Sequence, residues 1–116
     1  MLKLLAKITL TVLIVTALIY SVGLYIMPSV TVINNSDVAI EKAEITLPSN
    51  KLDFGGIASK AHNTLYYSLE QGDGVYKYNF VLANKAVFNN FCGYVTQNEV
   101  NKRVVITVSN NKVVCN

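Results

Sequence analysis

The sequence predicts an all-β outer domain, an antiparallel immunoglobulin-like sandwich of seven to eight strands, preceded by one transmembrane α-helix. Three observations predict it. Ile8 to Met27 is a run of 20 residues without a charge. From Ser29 onward, apolar residues alternate with polar ones instead of running continuously. These alternating runs are short and broken by clusters of Asn, Gly, Pro and Asp, at about the 8–12-residue spacing of a sandwich.

The helix comes first. At 1.5 Å per residue, the uncharged run spans about 30 Å, the thickness of a bilayer's hydrocarbon core. Lys3 and Lys7 precede it, Pro28 closes it, and Tyr20 and Tyr25 fall in its last third. A positive flank stays in the cytoplasm and aromatic residues favour the membrane interface. The expected organisation is therefore a cytoplasmic N-terminus over 1–7, a signal anchor over 8–27, and an extracytoplasmic domain over 29–116. Lys3 and Lys7 set that topology. The expected location is a single pass in a cell membrane, a bacterial inner membrane above all, with the C-terminal domain in the periplasm or outside the cell. The competing reading is a signal peptide cleaved after Gly23, behind Ser21-Val22. It would leave an apolar stub, Leu24 to Met27, on the mature protein.

The strands follow in order. Alternation places them near Val30–Asn34, Ile40–Leu47, Lys51–Phe54, Thr64–Glu70, Val75–Leu82, Val87–Val95, Arg103–Ser109 and Val113–Cys115. All 13 Asn residues lie in this part, mostly in the breaks. Asp73-Gly74 suggests a type I′ hairpin, because both central residues need positive φ. That turn would pair Leu65, Tyr67 and Leu69 with Leu82, Phe80 and Tyr78 on the core side. It would bring Tyr66, Ser68 and Glu70 opposite Val81, Asn79 and Lys77 on the outer side. By the same parity, Tyr76 joins the core with Tyr78, Phe80 and Leu82. Ala43, Ile45, Leu47, Val104, Ile106 and Val108 are further core residues.

A domain of 88 residues has a thin core for its length, so a covalent staple would help it. Cys92 and Cys115 are the only cysteines and both lie in the outward part, where a disulfide persists. They are expected to pair.

Little in the sequence points to catalysis. The chain carries +3, but from Ser29 onward eight basic residues meet seven acidic ones. That is no footprint for nucleic acid. His62 is the single histidine and the methionines are Met1 and Met27, so neither a zinc set nor a copper-binding cluster can be assembled; no metal and no cofactor is expected. No Gly-x-Ser-x-Gly elbow occurs, and Ser109-Asn110-Asn111-Lys112 falls in a turn rather than on a helix. Asp53, Glu70 and Asp73 are the carboxylates a small hydrolase would have to use. Asn34-Asn35-Ser36 is a glycosylation sequon.

The expected function is therefore non-enzymatic: a membrane-anchored module that binds a protein at or near the same membrane. An accessory subunit of an envelope complex or an immunity protein would fit. The face bearing Tyr66, Ser68, Lys77 and Asn79 is the candidate contact, since exposed tyrosines are favoured at interfaces. Two alternatives stand beside this reading: a carboxylate-dependent hydrolase and a pilin-like assembly subunit. The layout is similar to that of type IV pilins in having an apolar helix, a β domain and a late disulfide. The similarity ends there, because no Glu stands early in the helix and no processing Gly precedes it.

Overall fold

The structure is a computed structural model that describes the whole chain apart from the Leu24 side chain. The described residues form one helix, α1 (Leu2–Ile26), and eight strands: β1 (Ser29–Asn34), β2 (Ile40–Thr46), β3 (Lys51–Ile57), β4 (His62–Tyr66), β5 (Gly74–Leu82), β6 (Val87–Val95), β7 (Arg103–Val108) and β8 (Val113–Cys115). The molecule measures 66 × 31 × 19 Å, because α1 projects from the sandwich instead of lying on it.

α1 is apolar on all sides and exposed from Leu2 to Gly23, so it is not the core helix of a soluble fold. Its few polar side chains are turned inward on its own backbone. The hydroxyls of Thr9, Thr11, Thr16 and Ser21 donate to the carbonyls of Leu5, Lys7, Val12 and Ala17, each four residues back. The helix is long and apolar enough to cross a membrane or to serve as a signal sequence.

The strands make two four-stranded sheets, ordered β4-β1-β7-β8 and β3-β2-β5-β6. The first sheet contains a parallel pair, Ser29–Asn34 of β1 beside Arg103–Val108 of β7; the other pairings are antiparallel. The sandwich expected from the alternation is present, with its finer order differing from the immunoglobulin pattern. In that fold the first two strands are neighbours in one sheet, whereas β1 and β2 lie in opposite sheets here. Val30, Val32, Val104, Ile106 and Val108 from one sheet meet Ala43, Ile45, Tyr76, Tyr78, Phe80 and Leu82 from the other, and all are buried. Each is a residue whose parity marked it for the core, or a neighbour of one on the same face.

The Asp73-Gly74 hairpin does not form. β4 pairs with β1, and β5 lies between β2 and β6. The segment 67–73 is a crossing between sheets rather than a turn. Tyr67 N–H donates to the Pro28 carbonyl, and the Gln71 side chain fastens the crossing to the β2–β3 turn. Gln71 Nε2 donates to Asn50 Oδ1 and the Ser68 carbonyl, and Gln71 Oε1 accepts from Ser49 N–H. Alternation put Tyr67 on the core side correctly, but its partner across the gap is Tyr76, hydroxyl to hydroxyl at 2.7 Å. Parity fixes which way a side chain faces; it does not fix which strand lies beside it.

Two bulges bend the strands, and the first carries β3 past Phe54, which read as its end. β3 runs on through Gly55, at φ 66°, whose N–H donates to Asp53 Oδ1. β6 bulges at Gly93, also at φ 66°, where a Cβ would come within 3.1 Å of the Tyr76 ring. His62, just ahead of the strand expected to begin near Thr64, is the exposed first residue of β4.

Candidate functional site

The strand directions divide the loops between two ends. β1 leaves the helix, so the end carrying the start of β1, the end of β4 and the start of β7 is proximal to α1. Loops 47–50, 67–73 and 96–102 cluster there. Loops 35–39, 58–61, 83–86 and 109–112 make the distal end.

The four residues expected on one face are split between the sheets. Tyr66 ends β4 in the first sheet and Ser68 follows it in the crossing, whereas Lys77 and Asn79 stand on β5 in the second sheet. The failed hairpin is the cause: β5 has β2 and β6 as neighbours, so β4 never comes beside it. Lys77 and Asn79 instead pair across the ladder with Phe91 and Asn89 of β6, and Val81 pairs with Val87. On the other flank Lys77 meets Thr46 and Asn79 meets Glu44. This outer face therefore has an apolar margin on β6, with Phe91 62% exposed. Beyond it, Glu44 is held between Lys42 and Lys51 at 3.3 and 2.8 Å. The hydrogen bond from Lys51 holds the Glu44 carboxyl below its ordinary range, against the opposing effect of burial. Lys77 has no ion-pair partner among the described residues. Phe91 was not singled out in the sequence; its signal was its parity, outward on a strand whose inward residues include Cys92.

A hollow of about 360 Å³ opens at the lower end of this face, lined by Thr46, Leu47, Pro48, Asp73, Gly74, Val75 and Lys77. Among its lining residues Asp73 is the single carboxylate. Asp53 lies on β3, where it caps Gly55 N–H, and Glu70 lies in the crossing. The hollow thus offers one acid and one base, with no carboxylate pair along its walls.

Tyr66 belongs to the proximal end. It and Arg103 flank Ser29 on the outer surface of the first sheet, and the Arg103 guanidinium lies 5.7 Å from the Tyr66 ring centroid. From there Arg103 donates to the Met27 carbonyl at 2.5 Å and to the Tyr25 carbonyl at 3.3 Å. Asn101 N–H donates to the Ile26 carbonyl at 2.7 Å, and Ser29 N–H to the Lys102 carbonyl. Asn101 sits at φ 56°, a left-handed conformation that Asn tolerates. The last helical carbonyls, which no residue within α1 can satisfy, are thus taken by the sandwich. Next to this junction, Lys102 pairs with Glu99 at 2.8 Å, lies 5.3 Å from the Tyr76 ring centroid, and donates to the Tyr94 carbonyl. Burial opposes ionisation of Glu99, but its bonds from Lys102 and Thr96 outweigh this and lower its pKa. Burial raises the pKa of both Tyr67 and Tyr76, which keeps these phenols protonated.

Cys92 and Cys115 lie at disulfide distance, with Cα atoms 6.3 Å apart. The pair joins β6, an edge of the second sheet, to β8, an edge of the first. The sequon lies elsewhere. Asn34 is wholly buried at the distal end, and its Nδ2 donates to the carbonyls of Val38, Ile57 and Ala58. In the folded domain that amide is inaccessible to a glycosyl donor.

The chain is thus a β-sandwich bonded directly to the end of a single apolar helix. It is similar in fold to a protein from Eubacterium rectale whose structure was determined by NMR. The TM-score is 0.57 at 10% identity, covering 78% of this chain and 86% of that one. At that identity the likeness is one of fold alone. No protein-family model and no curated protein matches the chain.

Proposed function

We propose that this protein is a membrane-anchored, extracytoplasmic binding module. It presents the outer face of its second sheet to a protein partner in or beside the same membrane. The observation that carries the reading is the junction. Arg103 and Asn101 bond the end of an exposed apolar helix to the sandwich, and β1 starts at Ser29, three residues past the helix, so no flexible tether gives the domain reach. A cleavage after Gly23 would sever α1 while leaving Tyr25, Ile26 and Met27 bound to the domain, which favours a retained anchor. The immunoglobulin-like comparison serves at the level of architecture, two packed sheets whose faces and end loops are open to recognition.

On the second sheet, Phe91 and Val87 supply exposed apolar surface beside the uncommitted Lys77 ammonium and the Asn79–Asn89 pair. An aromatic flanked by polar groups is the composition of an interface centre. The partner surface that fits is apolar with an acidic side chain to meet Lys77. A hydrolase reading has less support, because Asp73 stands alone in the hollow.

Two experiments test the proposal. A periplasmic-type reporter fused after Asn116 should be active only outside the cytoplasm, and the isolated protein should begin upstream of Gly23. Photocrosslinkers at Lys77 and Phe91 should capture the same partner in cells, and crosslinkers at Lys112 should not. A reporter active in the cytoplasm overturns the topology. Equal labelling from all three positions overturns the face.

A further inference from the structure

We infer that the α1-proximal end of the sandwich is itself a lipid-contact surface, seated in the headgroup layer of the membrane that holds the helix. This rests on the anchored reading and adds a second membrane-binding element to it. The argument is one of height. The apolar span reaches Gly23, and Asn101 bonds to Ile26, three residues on. At 1.5 Å per residue that is about 4.5 Å past the span, and the headgroup layer is about 5–8 Å deep on each side. If the hydrocarbon extends to Met27, the uncharged run's last residue, the loop lies deeper still. Loop 96–102 therefore cannot stand clear of the bilayer while its bond to the helix persists.

The residues placed at that height suit the position. Val100, adjacent to Asn101, is 57% exposed, and Tyr94, whose carbonyl Lys102 holds, is 62% exposed. Tyr66 stands at the same proximal end, on the outer surface of the first sheet, with its ring against Arg103. Tyrosine is favoured at the interface, where its ring is sheltered and its hydroxyl is wet. An exposed valine there has apolar surface to bury. The cations at the junction itself are already engaged, Lys102 by Glu99 and Arg103 by the Tyr25 and Met27 carbonyls. The surface therefore takes the interfacial region of a zwitterionic bilayer and has no requirement for anionic lipid.

The chain contains no Trp, so a single introduced Trp reports its own surroundings. Four variants of the full chain, Val100→Trp, Tyr94→Trp, Leu18→Trp and Asn111→Trp, are reconstituted in phosphatidylcholine vesicles. Part of the lipid carries bromine on its upper acyl carbons. Leu18→Trp should lose emission to the brominated lipid, and Asn111→Trp, on the distal β7–β8 turn, should not. The inference expects Val100→Trp and Tyr94→Trp to lose emission as well and to emit at shorter wavelength than Asn111→Trp. Replacing part of the lipid with phosphatidylglycerol should leave those losses unchanged. If Leu18→Trp is quenched while both proximal probes behave like Asn111→Trp, the lipid-contact surface is overturned and the anchor stands. If Leu18→Trp is not quenched either, the anchored reading fails and takes this one with it. Quenching of the proximal probes that appears only with phosphatidylglycerol replaces this surface with an electrostatic one and overturns the inference.

Discussion

At the scale of single residues, Asn34 does most to fix the distal end. Three backbone carbonyls, one from the β1–β2 loop and two from the end of β3 and the loop after it, converge on its Nδ2 at 2.9, 3.1 and 3.2 Å, and its Oδ1 accepts from Ser36 N–H. Aspartate has nearly the same shape but faces those carbonyls with a carboxylate in place of a donor. Leaving buried acceptors unsatisfied costs about 1–3 kcal/mol, more where a charge is involved. Asn34→Asp should therefore destabilise the domain by about 3 kcal/mol in denaturant titration of the detergent-solubilised chain, with Asn35→Asp close to neutral. In the same end, the exposed Asp37 accepts from Asn110 Nδ2 at 2.9 Å and faces Lys60 Nζ at 3.6 Å. The Asn110 bond first, and the Lys60 charge second, lower its pKa below the ordinary 3.8. A lowered folded-state pKa means the clasp contributes fully above the unfolded value and is lost as pH falls through the folded one. Carboxyl NMR should place the Asp37 midpoint below 3.8, and Asn110→Ala should move it upward.

At the scale of elements, the strands were legible and their partners were not. Val30, Val32, Ala43, Ile45, Phe80, Leu82, Val104, Ile106 and Val108 announce their faces because a strand's period is two and one face is buried. Neighbours are set by long-range packing that leaves no local trace. Nothing in Asp73-Gly74 distinguishes a hairpin from a crossing held by Gln71, and the expected contact face was lost with that one turn. The Gly55 bulge likewise read as the end of β3. The cysteines were easier to read, since two residues in one domain leave a single pairing. They lie at disulfide distance across the β6 and β8 edges, each otherwise open on one side. In the chain-entropy model a loop of this length contributes about 3.4 kcal/mol. Cys92→Ser should lower stability by a few kcal/mol at most, and non-reducing mass spectrometry of the parent should recover the linked peptides. Two alkylatable thiols in the freshly extracted native protein would refute the bond.

At the scale of the whole molecule, one arginine decides whether helix and sandwich move together. One backbone bond, from Asn101 N–H to the Ile26 carbonyl, ties loop 96–102 to the helix end, and a single bond leaves room for rocking about it. Arg103 braces it from the side, reaching the Tyr25 and Met27 carbonyls while its guanidinium rests against Tyr66. A planar guanidinium can serve two carbonyls and a ring face at once, whereas a lysine ammonium is a flexible point donor. Arg103→Ala should therefore loosen the molecule without unfolding it, because Arg103 stands outside the core while Val104 and Ile106 stay buried. Spin labels at Val15 on the helix and Asn111 on the distal turn should give a narrow distance distribution in the parent. Arg103→Ala should broaden it, and Arg103→Lys should restore it only in part. Thermal melting of the two variants should stay close to that of the parent. An unchanged distribution in Arg103→Ala would mean that the backbone alone fixes the domain's attitude, and that Tyr66 and Arg103 are merely neighbours at the surface. A broadened one would make the height and tilt of the second sheet's outer face a property of this side chain. Partner capture at Phe91 should then weaken in the same variant that leaves Phe91 untouched.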